Sequence, residues 1–416
     1  MKRPVAQHAP NRNASASRSL LRMLGIGAAV LTVAALGVGA FLVADLTARV
    51  GKDAVPLDGA PSVAPPAIGE YPGAFAILLV GTDECGPVST KLLGERCESE
   101  DGIRNDVNLL VHVSDEPRKV TVVSFPRDLM TEVPACVTED GSTASPSDKK
   151  QINTVFRHAG LSCVARTVTE LSGVEIGFAA KLSFDGVMEI TDAVGGVEVC
   201  IGEDGLHDRE TGLDWEPGLR TVEGYEALQF LRTRKSVGDG SDLARISNQQ
   251  QYMSRLARKV LSSETLSDVP TVMRLAYTIA DNIVPSESLT DPVRLAQLAL
   301  AMNDVPFEDF VFVQYPTLED PDDDNRVIPN AQAAEPLWEA LAAGRPIDVT
   351  GRASNHGGVD EQTPAPTEPV PSPSGAPSEG PSGTPSGTPS PTDRAQLPPE
   401  ISGIDLNQET CSGRRR

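Results

Sequence analysis

The sequence predicts an α/β fold, a layered sandwich around a central sheet, preceded by one membrane-spanning helix. Two observations predict it. Short β-branched, apolar runs alternate with segments of helical periodicity over residues 72–347, and an uncharged apolar run lies near the N-terminus. The composition agrees, because 39% hydrophobic residues suffice for a core once the polar ends are set aside.

The N-terminal residues predict where the chain resides. Residues 1–22 carry five basic side chains and no acid, and residues 23–44 carry no charge. A run of this length spans a bilayer as a helix, and its positive flank stays in the cytoplasm. We therefore expect a cytoplasmic tail, a transmembrane helix over 23–44 and an extracellular remainder, anchored by a single pass in the plasma membrane. The alternative is a cleaved signal peptide, whose apolar run is usually shorter.

The predicted strands and helices form one domain, residues 72–347. Five apolar runs predict strands and a sixth is a weaker candidate: Phe75–Val80, Val107–Val113, Lys119–Phe125, Val197–Ile201 and Phe310–Gln314, with Ala179–Ser183 as the sixth. Helical patterns fall near residues 151–159, 162–172, 185–193, 224–230, 241–262, 270–281, 291–302 and 334–343. Several strands are almost continuously apolar, as is typical of a sheet covered on both faces.

Proline marks the segments that flank this domain. Residues 45–71 carry four prolines and are expected to be a spacer that lifts the domain off the membrane. Residues 348–399 are predicted to be a disordered linker rich in Pro, Ser and Thr, compatible with a wall-crossing segment or a glycosylated stalk. Residues 400–416 are a C-terminal tail, either attached to the domain or free.

Six cysteines follow the apolar run: Cys85, Cys97, Cys136, Cys163, Cys200 and Cys411. An even number outside the cell predicts disulfides, but six cysteines allow 15 pairings and the sequence does not choose among them. The simplest arrangement closes the local loops Cys85–Cys97 and Cys136–Cys163 and leaves Cys200 with Cys411. A zinc site is disfavoured, because no two cysteines have CxxC spacing.

The formal net charge of −22 argues against nucleic-acid binding, which needs a basic face. Any bound anion must therefore be held by a local cluster of cations. Four motifs supply arginine beside aspartate or a second arginine: Arg104-Asn-Asp106, Pro126-Arg-Asp128, Arg232-Thr-Arg234 and Asp242-Leu-Ala-Arg245. Guanidinium groups suit phosphate oxygens, and paired carboxylates suit a divalent cation. One such pair is readily explained as a surface salt bridge, but four in an acidic domain favour a diphosphate site with its metal.

The positions of these motifs fit a ligand site. Asp83 and Arg127 each follow a predicted strand, and open α/β sheets bind ligands at the carboxyl ends of strands. Arg104 and Asp106 point the same way if the chain is extended there. Arg232 and Arg234 have the same spacing and are expected to line one wall.

The long helix near 241–262 carries the last motif. Asp242, Arg245 and Gln249 stand at i, i+3 and i+7 and share one face. The alternative is a solvated face in which Asp242 caps the helix, although a helix N-terminus also favours phosphate. The sequence contains no recognisable nucleophile–base constellation, and phosphoryl transfer can proceed by positioning and electrostatics alone.

The segment 174–195 is rich in large apolar side chains: Phe178, Leu182, Phe184, Val187, Met188 and Ile190. Core packing is the simpler interpretation of these residues from the sequence alone. A hydrophobic pocket is the alternative.

With these motifs in view, the chain resembles the LytR-CpsA-Psr family of bacterial cell-wall proteins. Eight blocks in order carry the resemblance: Ile77–Asp83, Arg104–Asp106, Ser124–Asp128, Lys150–Asn153, Asp192–Val197, Gly224–Leu228, Arg232–Arg234 and Asp242–Gln250. The resemblance covers the anchor and about residues 75–262. It implies an αβα three-layer sandwich with a mixed central sheet and a long hydrophobic pocket for a polyprenyl chain, which the apolar residues of 174–195 would line.

The activity implied by the resemblance is phosphotransfer outside the membrane. A glycopolymer would move from undecaprenyl diphosphate to peptidoglycan, at the C6 hydroxyl of N-acetylmuramic acid, as a phosphodiester. By motif, Asp83 and Asp106 would bind Mg²⁺, with Mn²⁺ as an alternative, and Asp106 would help to deprotonate the acceptor. The diphosphate would be held by Arg104, Arg127, Arg232, Arg234, Arg245 and Gln249, the first four of them acting with Asp106 in catalysis.

The chain departs from the family pattern at two places. Asn248 stands where the family often has arginine, so one cation is missing. The segment between Cys85 and Cys97 is an insertion, either a flap over the site or a surface loop. The cysteines and the proline-rich segment look like versions from high-GC Gram-positive bacteria, in which the polymer is a teichoic acid, a teichulosonic acid, a capsule-like polysaccharide or arabinogalactan.

Three other functions stay open at this stage. One is a pyrophosphatase that hydrolyses the lipid diphosphate with water as acceptor. Another is a membrane regulator, which a tail of about 22 residues without a DNA-binding fold makes difficult. The third is a lipid-carrier binding module without turnover, which the missing cation at Asn248 favours.

Overall fold

The computed structural model describes residues 37–63, 65–67, 69–97, 102–138, 140–362 and 394–413. The predicted cytoplasmic tail, and residues 23–36 of the predicted transmembrane helix, lie outside the described residues. Helix α1, described over residues 37–50, contains the end of the apolar run. Within the described part of the chain, no helix is long and apolar enough to cross a membrane. The described residues up to Arg49 form one unit and those from Val50 onward form a second, which carries the fold described below.

The helices and strands of the second unit are numbered along the chain. The helices are α2 (Pro87–Leu93), α3 (Val155–Ser172), α4 (Phe184–Ala193), α5 (Gly224–Arg232), α6 (Asp242–Val260), α7 (Ser263–Ser267), α8 (Val269–Asn282), α9 (Pro292–Asn303) and α10 (Ala331–Ala342). The strands are β1 (Phe75–Thr82), β2 (Asn105–Val113), β3 (Val120–Phe125), β4 (Met130–Val133), β5 (Cys136–Val137), β6 (Thr143–Ala144), β7 (Ser147–Gln151), β8 (Phe178–Leu182), β9 (Val197–Ile201), β10 (Leu206–Asp208), β11 (Leu213–Trp215), β12 (Gly218–Val222), β13 (Ile283–Pro285), β14 (Phe310–Gln314), β15 (Thr317–Asp320), β16 (Asp323–Pro329), β17 (Ile347–Asp348), β18 (Val359–Glu361), β19 (Ala395–Gln396), β20 (Gly403–Asp405) and β21 (Thr410–Ser412).

The central sheet has seven strands in the order β13-β8-β1-β2-β3-β14-β20. Strands β8 and β1 pair in parallel, as do β3 and β14, and the other neighbours are antiparallel. The predicted α/β fold with a mixed central sheet is therefore confirmed.

Helices cover both faces of this sheet. On one face, Leu78 and Leu110 belong to a buried cluster with side chains of α3 and α10. On the other, Phe75 and Leu109 pack with side chains of α6 and α9. Strand β1 sends alternate side chains into both clusters, which is why its sequence is continuously apolar. The same reasoning predicted the strand from sequence.

The predicted strand Val197–Ile201 exists, but it belongs to a second sheet of order β12-β9-β21-β18. Val197, Val199 and Ile201 are buried against α5 and α6. Glu198 is exposed, so this strand is buried on one face only. Local sequence predicts a strand, but it does not specify the sheet that the strand joins.

Two predicted segment boundaries are wrong. Residues 50–71 are not a spacer, because Val55 bridges Ser286 and Tyr71 packs edge-on against Phe75. The fold also does not end at residue 347, because β20 is an edge strand of the central sheet and β21 lies inside the second sheet. Buried apolar side chains explain the order of this C-terminal part: Leu397, Ile401, Ile404 and Leu406. Residues 363–393, which hold ten prolines, lie outside the described residues.

The disulfides follow the simplest arrangement. Cys85 pairs with Cys97, Cys136 with Cys163, and Cys200 with Cys411, so no cysteine is free. The third bridge joins β9 to β21 across 211 residues of sequence. The C-terminal tail is therefore attached to the domain.

Candidate functional site

Two ion pairs bring together four of the motif residues. Arg127 Nη1 lies 3.0 Å from Asp106 Oδ1 and 3.2 Å from Oδ2. Arg245 Nη2 lies 2.6 Å from Asp242 Oδ1. The pairs are joined, because Arg127 Nε is 3.3 Å from Asp242 Oδ1. We call these four side chains the arginine–aspartate layer.

The ends of three elements place this layer. Asp106 is the second residue of β2, and Arg127 follows β3, which ends at Phe125 before Pro126. Asp242 is the first residue of α6, and Arg245 lies one turn further on. The predicted capping role of Asp242 is wrong, because Ser241 is the N-cap and its hydroxyl accepts a hydrogen bond from Ala244 N–H at 3.2 Å.

The charges within the site are closely coupled. Burial lowers the pKa of Arg127, but the carboxylates of Asp106, Asp242 and Asp128 outweigh this effect and raise it overall. Burial raises the pKa of Asp128, and the like charge of Asp242 adds to the shift. The pKa of Arg234 is lowered by burial and by the nearby cations Arg127 and Arg245. Cations crowded in this way are suited to an anionic ligand.

Several polar atoms of the layer lack a well-formed hydrogen bond, although some of them take part in its ion pairs. Within the described residues, neither Nε of Arg127 and Arg245 nor either oxygen of Asp242 makes a hydrogen bond of acceptable geometry. The side chains of Arg245 and Asp242 are 5% and 7% exposed, so bulk water does not readily supply the missing hydrogen bonds. Buried polar groups of this kind are usually satisfied by a ligand, water or ion.

An apolar cavity of about 350 Å³ adjoins the layer. It lies between the central sheet and helices α4, α5, α6 and α8, and Asp106, Arg232 and Arg245 are among its polar lining residues. Of the predicted pocket residues, four line it: Leu182, Phe184, Val187 and Ile190. The cavity is therefore an apolar volume with guanidinium groups in its wall.

Two predicted pocket residues do not line this cavity. Phe178 lies further along β8 and packs edge-on against Tyr71 and Phe75. Met188 packs with Leu93 and Leu228 in a separate cluster. Phe184, Val187 and Ile190 recur every three residues on one face of α4, and Met188 falls on the neighbouring face.

Arg232 and Arg234 do not line one wall. Arg232, the last residue of α5, lines the apolar cavity, and its guanidinium carbon lies 4.9 Å from the centre of the Phe184 ring. Arg234 follows the helix and lines a separate polar cleft. Arg232 is still helical and the extended backbone begins only at Thr233, so the strand-like spacing assumed from sequence does not apply.

Asp83 and Asp106 lie close enough to interact. Asp83 Oδ1 accepts a hydrogen bond from the backbone N–H of Arg104 at 2.7 Å. Burial raises the pKa of Asp83, and the charge of Asp106 adds to the shift. In the described part of the chain, no group of three or more His, Cys, Asp or Glu could hold a metal ion. A carboxylate pair still fits Mg²⁺, which keeps waters and shares substrate phosphates.

Asn248 is fully buried and lies away from the cavity. Its Nδ2 donates to the carbonyl oxygen of Phe230 at 3.0 Å, and its Oδ1 accepts from Ser412 Oγ at 2.5 Å. The neighbouring Gln249 does line the cavity and donates to the carbonyl oxygen of Leu231 at 2.9 Å. Asn248 therefore anchors the C-terminal strand β21 to α6, and it does not leave a gap among the ligand-facing cations.

The insertion between Cys85 and Cys97 is a surface element on α4. Asp185 accepts hydrogen bonds from the backbone N–H groups of Val88 and Ser89 at 2.8 and 2.7 Å, at the start of α2. Among its described residues, none lines the apolar cavity or the polar cleft. The insertion is therefore a surface loop in this structure.

Two residues of the site were not predicted, and a third was predicted only as part of a motif. That third residue is Asp242, which pairs with Arg245 and completes the layer. Gln250 is 2% exposed and lines the apolar cavity, and within the described residues its amide atoms have no hydrogen-bond partner. Asp208 lies on β10, and its Oδ2 accepts from Thr233 Oγ1 and from the N–H of Arg234 at 2.7 and 3.1 Å. Nothing in the local sequence indicates this role.

Known proteins resemble this chain in sequence and in fold. The model of the LytR_cpsA_psr family matches residues 50–339. The chain is 29% identical over 240 residues to the cell wall biosynthesis protein LcpA of Corynebacterium glutamicum, covering 52% of this chain and 45% of that protein. It is 25% identical over 241 residues to the polyisoprenyl-teichoic acid–peptidoglycan teichoic acid transferase TagT of Bacillus subtilis, covering 56% and 66%. The matches thus span about half to two thirds of these relatives.

A solved structure agrees at the level of the fold. The crystal structure of Bacillus subtilis TagV superposes with a TM-score of 0.50 and 20% sequence identity, covering 65% of this chain and 96% of that one.

Proposed function

Because this chain belongs to the LytR_cpsA_psr family, we propose that it is a phosphotransferase of cell-wall assembly. It moves a glycopolymer from a polyprenyl (undecaprenyl) diphosphate carrier to the muramic acid C6 hydroxyl of peptidoglycan, as a phosphodiester. One observation carries the proposal: an apolar cavity ends at a layer of arginines and aspartates. That arrangement matches a ligand with an apolar tail and a diphosphate head. The relatives support the same reaction class, since LcpA is a cell wall biosynthesis protein and TagT is a teichoic acid transferase.

The residues of the site divide the work of transfer. Arg232 and Arg245, with Gln249, hold the diphosphate at the wall of the apolar cavity. Arg127 and Arg234 hold it from the side of the polar cleft. Arg104 lies next to the carboxylate pair. Fixed cations of this kind stabilise the charge that develops on phosphate oxygens in the transition state. The arginines therefore supply binding and electrostatic stabilisation together.

The reaction exchanges the phosphoanhydride bond of the donor for a phosphate ester bond to the acceptor. The acceptor hydroxyl oxygen forms a bond to the phosphorus that carries the glycan, and the bond from that phosphorus to the bridging oxygen breaks. The electron pair leaves with polyprenyl monophosphate, and the hydroxyl proton passes to Asp106. A carboxylate within reach of the acceptor is sufficient for this step.

Asp83 and Asp106 are the residues that would hold Mg²⁺ or Mn²⁺. The ion, when bound, would neutralise diphosphate charge. Burial raises the pKa of Asp83, and the charge of Asp106 adds to that shift.

We place the catalytic domain outside the cytoplasmic membrane, held by the apolar run over residues 23–44. Three disulfides support an oxidising compartment.

The test is a reconstituted transfer reaction. The full chain in detergent is incubated with a polyprenyl-diphosphate-linked glycan and peptidoglycan, and the phosphodiester product is measured by mass spectrometry. Asp106→Ala and Arg232→Ala should each lower the rate at least about a hundredfold. Chelation of divalent cations should stop the reaction, and added Mg²⁺ should restore it.

A matched control is Arg166→Ala, which removes an arginine from a surface ion pair with Asp58 and should leave the rate unchanged. Full activity in both site variants would refute the assignment of the site. Release of glycan phosphate into water, equal with and without peptidoglycan, would identify a pyrophosphatase instead. Bound lipid without turnover would identify a binding module, although Asn248 no longer favours that function.

A further inference from the structure

A second cavity, the polar cleft, lies on the other side of the arginine–aspartate layer. It has a volume of about 680 Å³ and is bounded by the hairpin β15–β16, the loop before α6, and His356. We infer that this cleft is the binding site for the acceptor glycan strand. The inference rests on the proposed function and names the place where its second substrate binds.

The layer separates the two cavities residue by residue. In the Arg127–Asp106 pair, Asp106 lines the apolar cavity and Arg127 lines the polar cleft. In the Arg245–Asp242 pair, Arg245 lines the apolar cavity and Asp242 lines the polar cleft. A diphosphate bound at the layer is therefore within reach of both cavities.

The geometry of phosphoryl transfer indicates which substrate occupies each of the two cavities. The attacking and leaving oxygens lie roughly in line through the phosphorus. The leaving group is polyprenyl monophosphate, whose tail occupies the apolar cavity. The attacking hydroxyl must then approach from the opposite side, where the polar cleft lies. The new bond joins that hydroxyl oxygen to phosphorus, and the bond to the bridging oxygen breaks. The proton passes to Asp106, whose carboxylate contacts Arg127 at the wall of the cleft.

The chemistry of the cleft favours a hydroxyl-rich sugar over a polyanionic donor polymer. Six carboxylates line it against four cations: Asp128, Asp239, Asp242, Glu319, Asp323 and Asp324 against Arg127, Arg234, Lys235 and Arg326. Carboxylates accept hydrogen bonds from sugar hydroxyls, and an excess of them repels a chain of phosphates. The acceptor is therefore a better occupant than the glycopolymer of the donor.

The hairpin β15–β16 is bonded to Asp128, next to Arg127 of the layer. These bonds fix the position of the cleft relative to the layer. Arg326 Nη1 lies 3.4 Å from Asp128 Oδ1, and Val327 N–H donates to the carbonyl oxygen of Asp128 at 3.3 Å. On the opposite wall, His356 Nδ1 lies 3.0 Å from Asp239 Oδ2. His356 comes from the C-terminal part of the chain, beyond the family match at residue 339.

The test uses substitutions that fill the cleft and leave the four side chains of the layer unchanged. Leu318 on β15 lines the cleft and is 51% exposed, so Leu318→Trp should fold and occupy the space. Glu319→Trp is a second variant of the same kind. The matched control is Leu219→Trp, an exposed leucine on β12 that lies in neither cavity. Thermal unfolding of each full-length variant establishes that it is folded.

Two substrates are measured separately. The acceptor probe is a soluble oligosaccharide of alternating N-acetylglucosamine and N-acetylmuramic acid, and the donor probe is a short-chain polyprenyl diphosphate carrying N-acetylglucosamine. Leu318→Trp should raise the KM for the acceptor probe about tenfold or more and weaken its direct binding equally, with the Kd of the donor probe unchanged. Leu219→Trp should alter none of these values.

Either of two results would overturn the inference. One is unchanged acceptor binding in both cleft variants, and the other is a weakened donor Kd with acceptor binding intact, which would place the donor glycan in the cleft. If the wild-type chain transfers nothing, the proposed function fails instead. The direct binding measurement still decides in that case whether the cleft holds the acceptor sugar.

Discussion

Asn248 is a buried residue that joins two elements of the fold. By comparison with the family pattern it is a missing cation, but its side chain is 0% exposed and hydrogen-bonded at both ends. It couples α6, which carries Arg245 and Gln249, to β21 through Ser412. Asn248 therefore has a structural role, which is to attach the C-terminal strand to α6.

The first prediction concerns this position. Asn248→Arg should destabilise the protein by about 3 kcal/mol or more without raising the transfer rate, because a longer, charged side chain has no space or partner there. Chemical denaturation and the transfer assay measure the two effects. Asn303→Arg, at an exposed helix end, is the control and should change neither. A faster, stable Asn248→Arg variant would show that the cation is missing from the site after all.

Asp208 positions an arginine without facing the ligand. Its carboxylate binds the Thr233–Lys235 segment and, through Oδ1, the N–H of Glu210 at 2.9 Å. Burial acts to raise its pKa, but hydrogen bonds from Thr233 Oγ1 and the backbone outweigh burial and lower it. A lowered folded-state pKa contributes stability above the unfolded value, and this contribution is lost as the pH falls through the folded value.

Asp208→Asn should therefore lower the free energy of unfolding by about 1–3 kcal/mol at pH 7. The difference from wild type should shrink as the pH drops below the ordinary value of 3.8. Transfer should slow as well, since Arg234 loses its support. Asp214→Asn, in the same hairpin with a side chain 90% exposed, is the control and should have little effect. A stability difference independent of pH would contradict the role of this carboxylate.

At the scale of elements, the C-terminal strands are part of the same folded domain as the candidate site. Strand β20 extends the central sheet beside β14, and β21 joins β9 in the second sheet. Residues near them contact the loop before α6, since Gly238 N–H donates to the carbonyl oxygen of Gly413 at 2.8 Å and Asp239 N–H to that of His356 at 3.0 Å. This loop leads directly to Asp242. These strands lie beyond the residues that match the family model, and the residues near them stabilise the loop that leads to the layer.

The Cys200–Cys411 bridge should contribute more stability than a local one. In the loop-entropy account, closing a loop of 211 residues stabilises by about 5 kcal/mol and one of 12 residues by about 3 kcal/mol. Replacing both cysteines of the long bridge by serine should lower the free energy of unfolding more than the same change at Cys85 and Cys97. Denaturation of both double variants measures this. Equal losses would mean that hydrogen bonds and packing already hold the C-terminal strands.

At the scale of the whole molecule, the parts lie in an order that suits a lipid-linked substrate. The apolar cavity, the arginine–aspartate layer and the polar cleft follow one another, each sharing residues or ion pairs with the next. Because the chain has a net charge of −22, its overall field repels anions, and anion binding depends on the local cations of this layer. A donor that enters tail first would then place its diphosphate between tail and acceptor.

The anchoring of the chain is tested at this same scale. The full chain should sediment with membranes and be digested by protease added to intact spheroplasts. A chain that begins at residue 50, exported with a cleavable signal, should appear in the soluble extracellular fraction. Protection of the full chain from external protease would contradict the predicted orientation. The measurement is an immunoblot of each fraction.

Much of the chain was predictable from local sequence. The continuous apolar runs of β1 and β3 indicate strands covered on both faces, and the motif spacings identify Asp106, Arg127 and Arg245. The order of motifs indicates the family. These features are local, because periodicity and turn chemistry depend on neighbours in sequence.

Tertiary structure decided the rest, because it depends on residues distant in sequence. Ser412 lies 164 residues from its partner Asn248, and only folding brings them together to explain the asparagine. The separation of Arg232 from Arg234 follows from where α5 ends and from the hold of Asp208 on the chain between them. The strands beyond residue 347 join sheets whose other members lie far earlier in sequence. Local composition determined where strands and charges occur, and long-range packing determined which of them meet.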